Sequence, residues 1–226
     1  MAVDIKFVQS VDGVRSYVFF VKKDGTVIGD AYKALDASGG ITNAIKLSNC
    51  GEKFGKSVLL TAPMDGVDYV VLIGLGDKNI EQKCVEALGG IAYSKLEKAC
   101  TDAVIVADAS LSSICDDIAS RLAYGAYLKS WRFNKYKPSD NAKLSTLSIV
   151  SQDENKSSGN WNRLKNIADG VNAARSLVSE PANVIYPETF AQYAMQELLP
   201  VGVKVTVYDK QQIEAMGMGA FAGVSH

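Results

Sequence analysis

Short apolar runs alternate with helical patterns along the first 150 residues, and this alternation limits the possible fold more than any other feature. The runs SVLLT, YVVLI and AVIVA (57–61, 69–73 and 103–107) have the length and composition of strands that are covered on both faces. The segment LSTLSIV (144–150) is a further predicted strand. Strands that are separated by helices predict an α/β fold.

Two more strands are predicted at the N-terminus, over 4–10 and 17–22, with a turn at Asp12-Gly13 between them. Because they follow one another closely, we expect them to form a hairpin, and the sheet would then be mixed. Amphipathic patterns predict one helix over about 80–99. A second helix is predicted through Ile118, Leu122 and Tyr127, with Ser112 or Ser113 as its cap.

The composition changes at 151–160, where SQDENKSSGN contains no large apolar residue. We interpret this segment as a surface loop and a domain boundary. The residues that follow have apolar side chains at steps of three or four and predict an amphipathic helix: Trp161, Leu164, Ile167, Val171, Ala174 and either Leu177 or Val178. The sequence therefore predicts an N-terminal domain over 1–152, a linker helix over 153–179 and the start of a second α/β domain over 180–226.

From residue 170 onward the pattern predicts a helix, a turn bracketed by Pro181 and Pro187, a second helix, one strand and a short third helix. Pro187 suits the first turn of the second helix, because its ring fixes φ and that position needs no N–H donor. Met216, Met218 and Phe221 lie near three glycines and predict a close-packed helix end. One strand cannot form a sheet alone, so we expect this second unit to be incomplete within 226 residues.

The net charge of −1 and the pI near 5.9 argue against a dominant attraction to nucleic acid or to anionic membranes. The sequence has neither a spanning apolar run nor a signal-peptide pattern, so we expect a cytoplasmic protein with no membrane partner. Its four cysteines (Cys50, Cys84, Cys100 and Cys115) form no Cys-x-x-Cys pair and are expected to be reduced thiols. The one histidine, His226, offers no zinc cluster, and we expect it to have no catalytic role.

Gly74-Leu75-Gly76 follows a predicted buried strand and precedes a predicted helix, a position where backbone N–H groups can hold an anion. Asn79 stands where a dinucleotide fingerprint requires its third glycine. A plain strand-to-helix turn is therefore the favoured interpretation, and anion binding is the alternative.

The segment 127–138, YLKSWRFNKYKP, interleaves aromatic side chains with Lys129, Arg132, Lys135 and Lys137. Such a pattern can stack bases and bind phosphates. It also suits a helix end, where aromatic side chains pack inward and cations face the negative helix C-terminus. The net charge favours the structural interpretation.

Residues 174–219 resemble the leucyl (cytosol) aminopeptidase family. The matching residues are Ala174, Arg175, Leu177, Val178, Pro181, Ala182, Asn183, Pro187, Ala191, Gly202, Val203, Val205, Val207, Asp209, Gly217, Met218, Gly219 and Ala220. Upstream, GAYLKSWRFNKYK (125–137) and VVLIGLGD (70–77) are similar to the N-terminal domain of the same family.

The resemblance implies a cytoplasmic, hexameric peptidase of two domains. Its N-terminal domain would be a three-layer α/β fold similar to macro domains. A linker helix would lead to a catalytic domain that holds two divalent metal ions, zinc or manganese, and releases N-terminal residues, leucine preferred, from peptides. The family's NTDAEGR motif does not occur in this sequence. We therefore assign no catalytic, cofactor-binding or metal-binding residue to any position, and we expect the chain alone to be inactive.

Two alternatives remain at this point. A macro-like module could bind a nucleotide or ADP-ribose at Gly74-Leu75-Gly76. The segment 127–137 could bind nucleic acid as a second activity, an alternative that the net charge disfavours.

Overall fold

A computed structural model of the chain describes residues 3–77, 80–107, 117–137 and 142–224. The chain divides into two compact units, Met1–Arg175 and Ser176–His226. The first unit contains a six-stranded sheet in the order β1-β6-β5-β2-β4-β3. Its strands are β1 (Asp4–Val8), β2 (Ser16–Lys22), β3 (Ser57–Met64), β4 (Val67–Gly76), β5 (Asp102–Ile105) and β6 (Thr146–Val150).

Five of these strands run parallel, and β3 alone pairs antiparallel, with β4. The mixed α/β sheet predicted from the sequence is confirmed. The predicted hairpin between the first two strands is wrong: β1 lies at one edge beside β6, whereas β2 lies between β5 and β4. The reason is burial, because residues 16–21 are all buried and need cover on both faces.

The antiparallel pair arises instead at Asp65-Gly66, a two-residue turn that joins Met64 to its partner Val67. Gly66 has φ +80°, the left-handed conformation that such hairpin turns require. The Asp-Gly dipeptide was the sequence signal for this hairpin. Because β3 is an edge strand, its Leu59 is partly exposed, and the prediction that 57–61 is covered on both faces is wrong.

Helices cover both faces of the sheet. The first unit includes α1 (Ala31–Leu35), α2 (Gly40–Ser48), a 3₁₀ turn (Cys50–Glu52), α3 (Gln82–Leu96), α4 (Ile118–Ser130) and α5 (Glu154–Ser179). Side chains of β2 alternate between two cores: Val18 and Phe20 pack with α3, α4 and α5, whereas Phe19 packs with α2 and the 3₁₀ turn. These residues therefore form the three layers that the resemblance implied.

The predicted loop over 151–160 is wrong, because α5 covers most of it. The carboxylate of Asp153 accepts the N–H of Lys156 at 2.9 Å and so caps the helix. The buried hydroxyl of Ser157 lies 2.7 Å from that of Ser151. Polar contacts thus anchor a helical turn whose lack of apolar residues had predicted a loop. The proposed caps Ser112 and Ser113 lie outside the described residues.

In the second unit, residues 176–179 complete α5, and α6 (Pro187–Leu198), a 3₁₀ turn (Leu199–Val201), α7 (Lys210–Ala215) and α8 (Gly219–Gly223) follow. Pro187 begins α6, as predicted. The prediction of a strand after α6 is wrong, since residues 203–209 pair with no strand within the described chain. The close packing predicted near the end is also wrong, because Met216, Met218 and Phe221 are exposed. Among the helices that the structure describes, none is long and apolar enough to cross a bilayer.

Candidate functional site

Gly74 and Gly76 at the end of β4 are glycines because backbone packs directly on them. A Cβ at Gly74 would lie 1.9 Å from the carbonyl oxygen of Cys50, and one at Gly76 would lie 2.6 Å from the nitrogen of Phe54. The N–H of Gly74 donates to the carbonyl of Lys56 at 2.8 Å, so it is not offered to a ligand. This geometry favours the interpretation of this segment as a plain strand-to-helix turn and disfavours anion binding there. Asn79 lies outside the described residues.

Arg132 closes the C-terminal end of α4. One guanidinium nitrogen donates to the carbonyl oxygens of Lys129 at 2.7 Å and Trp131 at 2.9 Å, and the other contacts the carboxylate of Glu97. The last carbonyls of a helix lack partners within the helix and carry partial negative charge. Arg132 therefore serves the fold, as the structural interpretation of this segment predicts.

Arg175 makes a similar contact from α5. Its guanidinium donates to the carbonyl of Leu128 at 2.8 Å and lies over the Trp131 ring, with 5.9 Å from Cζ to the ring centroid. Trp131 stacks on Phe133 with ring centroids 6.4 Å apart, and Phe133 contacts Tyr136 at 5.8 Å. The aromatic side chains of this segment thus pack on one another and on an arginine. Pro138, at its end, lies outside the described residues.

A polar tether fixes α5 to α4. The Tyr127 hydroxyl donates to the carboxylate of Asp169 at 2.7 Å, and Lys165 donates to the other carboxylate oxygen at 2.7 Å. Burial alone would raise the pKa of Asp169, but these two hydrogen bonds outweigh it and hold that pKa below its usual value. The rings of Trp161 and Tyr127 pack edge to face, with centroids 5.4 Å apart.

A cleft of about 490 Å³ lies at the amino ends of the central parallel strands. Its charged lining comes from four separate segments: Arg15 before β2, Asp68 in β4, Asp102 in β5 and Lys143 before β6. Arg15 and Asp68 form an ion pair with 2.8 Å between nitrogen and oxygen. No sequence pattern brings these segments together, because their proximity depends on the strand order of the sheet. Sequence reasoning therefore missed this cleft.

Backbone hydrogen bonds hold the rim of the cleft. The N–H of Asp68 donates to the carbonyl of Arg15 at 2.7 Å, and the N–H of Lys143 donates to the carbonyl of Glu97 at 2.6 Å. The N–H of Ser145 donates to the carbonyl of Thr101 at 2.8 Å. These bonds link the segment before β2 to β4, and the segment before β6 to the connection between α3 and β5. The shape of the cleft is therefore set by the fold itself.

The cleft also contains the thiol of Cys100, which is half-buried. Burial raises the pKa of this thiol, so it stays protonated at neutral pH and is a poor nucleophile. Cys50 and Cys84 are free thiols as well, whereas Cys115 lies outside the described residues. Cys100 therefore gives the cleft no activated nucleophile.

Within 3–77, 80–107, 117–137 and 142–224, the structure brings no three His, Cys, Asp or Glu side chains into a group that could hold a metal ion. These residues do not fit the pair of metal ions that the resemblance implied. His226 lies outside the described residues.

Comparison with known protein families gives two matches in chain order. Residues 18–140 match the N-terminal domain of the cytosol aminopeptidase family, and residues 172–226 match the catalytic domain of that family.

Individual relatives agree with this assignment. The chain is 34% identical over 205 residues to a probable cytosol aminopeptidase of Gluconobacter oxydans, covering 87% of this chain and 41% of the relative. It is 31% identical over 217 residues to a probable cytosol aminopeptidase of Brucella anthropi, and the match covers 92% of this chain and 43% of that relative. A solved structure of a tomato leucine aminopeptidase mutant has the same fold, with a TM-score of 0.80 and 19% identity over 95% of this chain and 46% of that one. The chain thus spans less than half the length of these proteins.

Proposed function

The chain belongs to the cytosol aminopeptidase family, and we propose that it is the N-terminal part of a metal-dependent aminopeptidase. The proposed reaction is the release of N-terminal residues, leucine preferred, from peptides. The observation that carries this proposal is the ordered pair of family matches, at 18–140 and 172–226.

We assign residues 1–152 to a macro-like N-terminal domain, 153–179 to a linker helix and 180–226 to the start of the catalytic domain. The continuous helix α5, Glu154–Ser179, supports this assignment because it begins between the two matched regions and continues into the second of them. The first unit would act as a scaffold for the catalytic domain and contribute contacts to a cytoplasmic hexamer.

The zinc or manganese ions of the proposed enzyme have no matching ligand group among the described residues. We therefore give the side chains of this chain no part in the chemical step. Their proposed contribution is structural: the buried sheet and the tether between Tyr127 and Asp169 hold α5 in a defined direction.

The proposal is tested by comparing the 226-residue chain with the product of the complete open reading frame that contains it. Hydrolysis of leucine p-nitroanilide is measured with added Mn²⁺ or Zn²⁺. We expect activity from the complete product, loss of that activity after chelation with EDTA, and none from the 226-residue chain. Absence of hydrolysis by the complete product with either metal would overturn the proposed activity, and hydrolysis by the short chain would overturn the structural role given to it.

The ADP-ribose alternative is not favoured, because the Gly74 N–H is already bonded within the fold. Calorimetric titration of the chain with ADP-ribose is expected to show no binding. Micromolar binding would restore the macro-like module as a function.

A further inference from the structure

The cleft at the amino ends of the strands has balanced charge. Two basic side chains, Arg15 and Lys143, and two acidic ones, Asp68 and Asp102, line it. Arg15 and Asp68 form an ion pair with each other, so Lys143 and Asp102 are the charges, of opposite sign, that the lining offers to a ligand. A small zwitterion, with an anionic and a cationic group a few bonds apart, can pair both of its charges.

The size and remaining lining of the cleft suit a small molecule with an apolar part. Its volume of about 490 Å³ falls in the range of small-molecule sites, roughly 300–1,000 Å³. The ring of Tyr69 and the methyl groups of Ala62 and Ala99 supply apolar surface. A free α-amino acid with an aliphatic side chain matches both the charges and this surface.

The backbone beside the cleft is strained at one position. Ala62 has φ +45°, where alanine is rarely found, and it lies at the irregularity between Thr61 and Met64 in the pairing of β3 with β4. A strained backbone conformation persists only where the surrounding fold holds it in place, and such residues cluster at ligand sites. Ala62 is part of the cleft lining.

We propose that this cleft binds a free aliphatic α-amino acid as its zwitterion. The ligand carboxylate would pair with Lys143, and the ammonium group with Asp102. The zwitterion class follows from the lining alone. The choice of leucine as the probe rests on the proposed function, because leucine is the preferred product of that reaction.

The test is an NMR titration of the ¹⁵N-labelled 226-residue chain with leucine. We expect millimolar binding with shifts at the amides of Ser16, Ala62 and Thr101. Leucinamide lacks the carboxylate and 4-methylpentanoate lacks the ammonium group, so each should bind about two- to fivefold more weakly, the effect expected of one exposed ion pair.

Two variants and one control locate the site. Lys143→Gln and Asp102→Asn should each weaken leucine binding by about two- to fivefold. Arg163→Gln removes an exposed cation of α5 outside the cleft lining and should bind leucine as the unaltered chain does. All three should keep the spectral dispersion of the parent chain, which excludes unfolding as the cause of a loss.

The proposal is overturned if leucine causes no shifts at roughly 10 mM, or if the shifts cluster at other residues. It is also overturned if both analogues bind as well as leucine, or if neither variant weakens binding. A failure of the binding proposal can be distinguished from a failure of the peptidase proposal. Hydrolysis is measured on the complete product, whereas leucine binding is measured on the 226-residue chain.

Discussion

The two units of the chain differ in what holds their helices in place. In Met1–Arg175, helices pack on a sheet whose side chains form two buried cores, and Phe19, Phe20 and Leu147 are fully buried. Among the described residues 176–224, not one is buried. Helices occur in both, so helix formation by itself says little about where the stability of this chain resides.

The second unit keeps its helices through local contacts. The Asp209 carboxylate accepts the N–H of Gln212 at 2.9 Å, and the Gln212 side chain accepts the N–H of Asp209 at 2.9 Å, a reciprocal cap at the start of α7. At the start of α6, the hydroxyl of Thr189 accepts the N–H of Tyr186 at 3.0 Å. Such caps contribute about 1 kcal/mol each, whereas a buried aromatic side chain contributes several. We therefore expect the free energy of unfolding to depend on the first unit.

The largest predicted effect compares one phenylalanine from each unit. Phe20→Ala leaves a cavity between the sheet and its helices and should lower the free energy of unfolding by about 3–5 kcal/mol. Phe221→Ala removes a side chain that is 61% exposed and should change the free energy of unfolding by less than about 0.5 kcal/mol. Urea unfolding followed by far-ultraviolet circular dichroism, which reports the helices of both units, measures both values. Equal effects would contradict the contrast between the units.

A second comparison uses glycines. A Cβ at Gly125 of α4 would lie 1.7 Å from the carbonyl oxygen of Glu86 in α3, a backbone atom that cannot move aside without separating the helices. Gly125→Ala should therefore lower the free energy of unfolding by about 1–3 kcal/mol. Gly223→Ala in α8 meets no atom within 4 Å and should leave the same transition unchanged. Thermal unfolding by circular dichroism checks both, and a stable Gly125→Ala would show that α3 and α4 can move apart freely.

The smallest predicted effect concerns the tether between α4 and α5. Tyr127→Phe removes the hydrogen bond to Asp169 and should cost about 0.5–1.5 kcal/mol. Tyr208→Phe alters an exposed side chain of the second unit and serves as the matched control. Because the pKa of Asp169 is lowered in the folded state, its stabilisation is present at neutral pH and fades as the pH falls below about 4.

Asp169→Asn should accordingly destabilise the chain at pH 7 and much less at pH 3. Urea unfolding at the two pH values measures the difference. An equal loss at both would mean that the ionised carboxylate is not what holds the tether.

The sequence was most informative where a strand is buried on both faces. YVVLI and the run at 17–22 are nearly continuous apolar segments, and both became interior strands. SVLLT has the same composition yet lies at an edge, since composition does not encode which neighbours a strand receives. The hairpin was misplaced for the same reason.

Features built from polar contacts were harder to predict. The first turn of α5 depends on Ser157, whose hydroxyl contacts that of Ser151 only after the chain folds. The cleft depends on side chains from four segments that meet at the amino ends of the central strands. By contrast, the structural interpretation of Gly74 and of Arg132 could be made in advance, because a glycine pair after a strand and cations at a helix end are local sequence patterns. The contacts that confirm it come from distant residues, Cys50 and Glu97.

The strand order also has a consequence for biosynthesis. Among the described strands, β1 pairs with β6 alone, about 140 residues later in the chain. At roughly 5–20 residues per second, the ribosome needs on the order of 7–30 s to supply that partner. During this delay the N-terminal strand has an open edge, and the exposed charges of Asp4 and Lys6 would discourage it from joining another nascent chain.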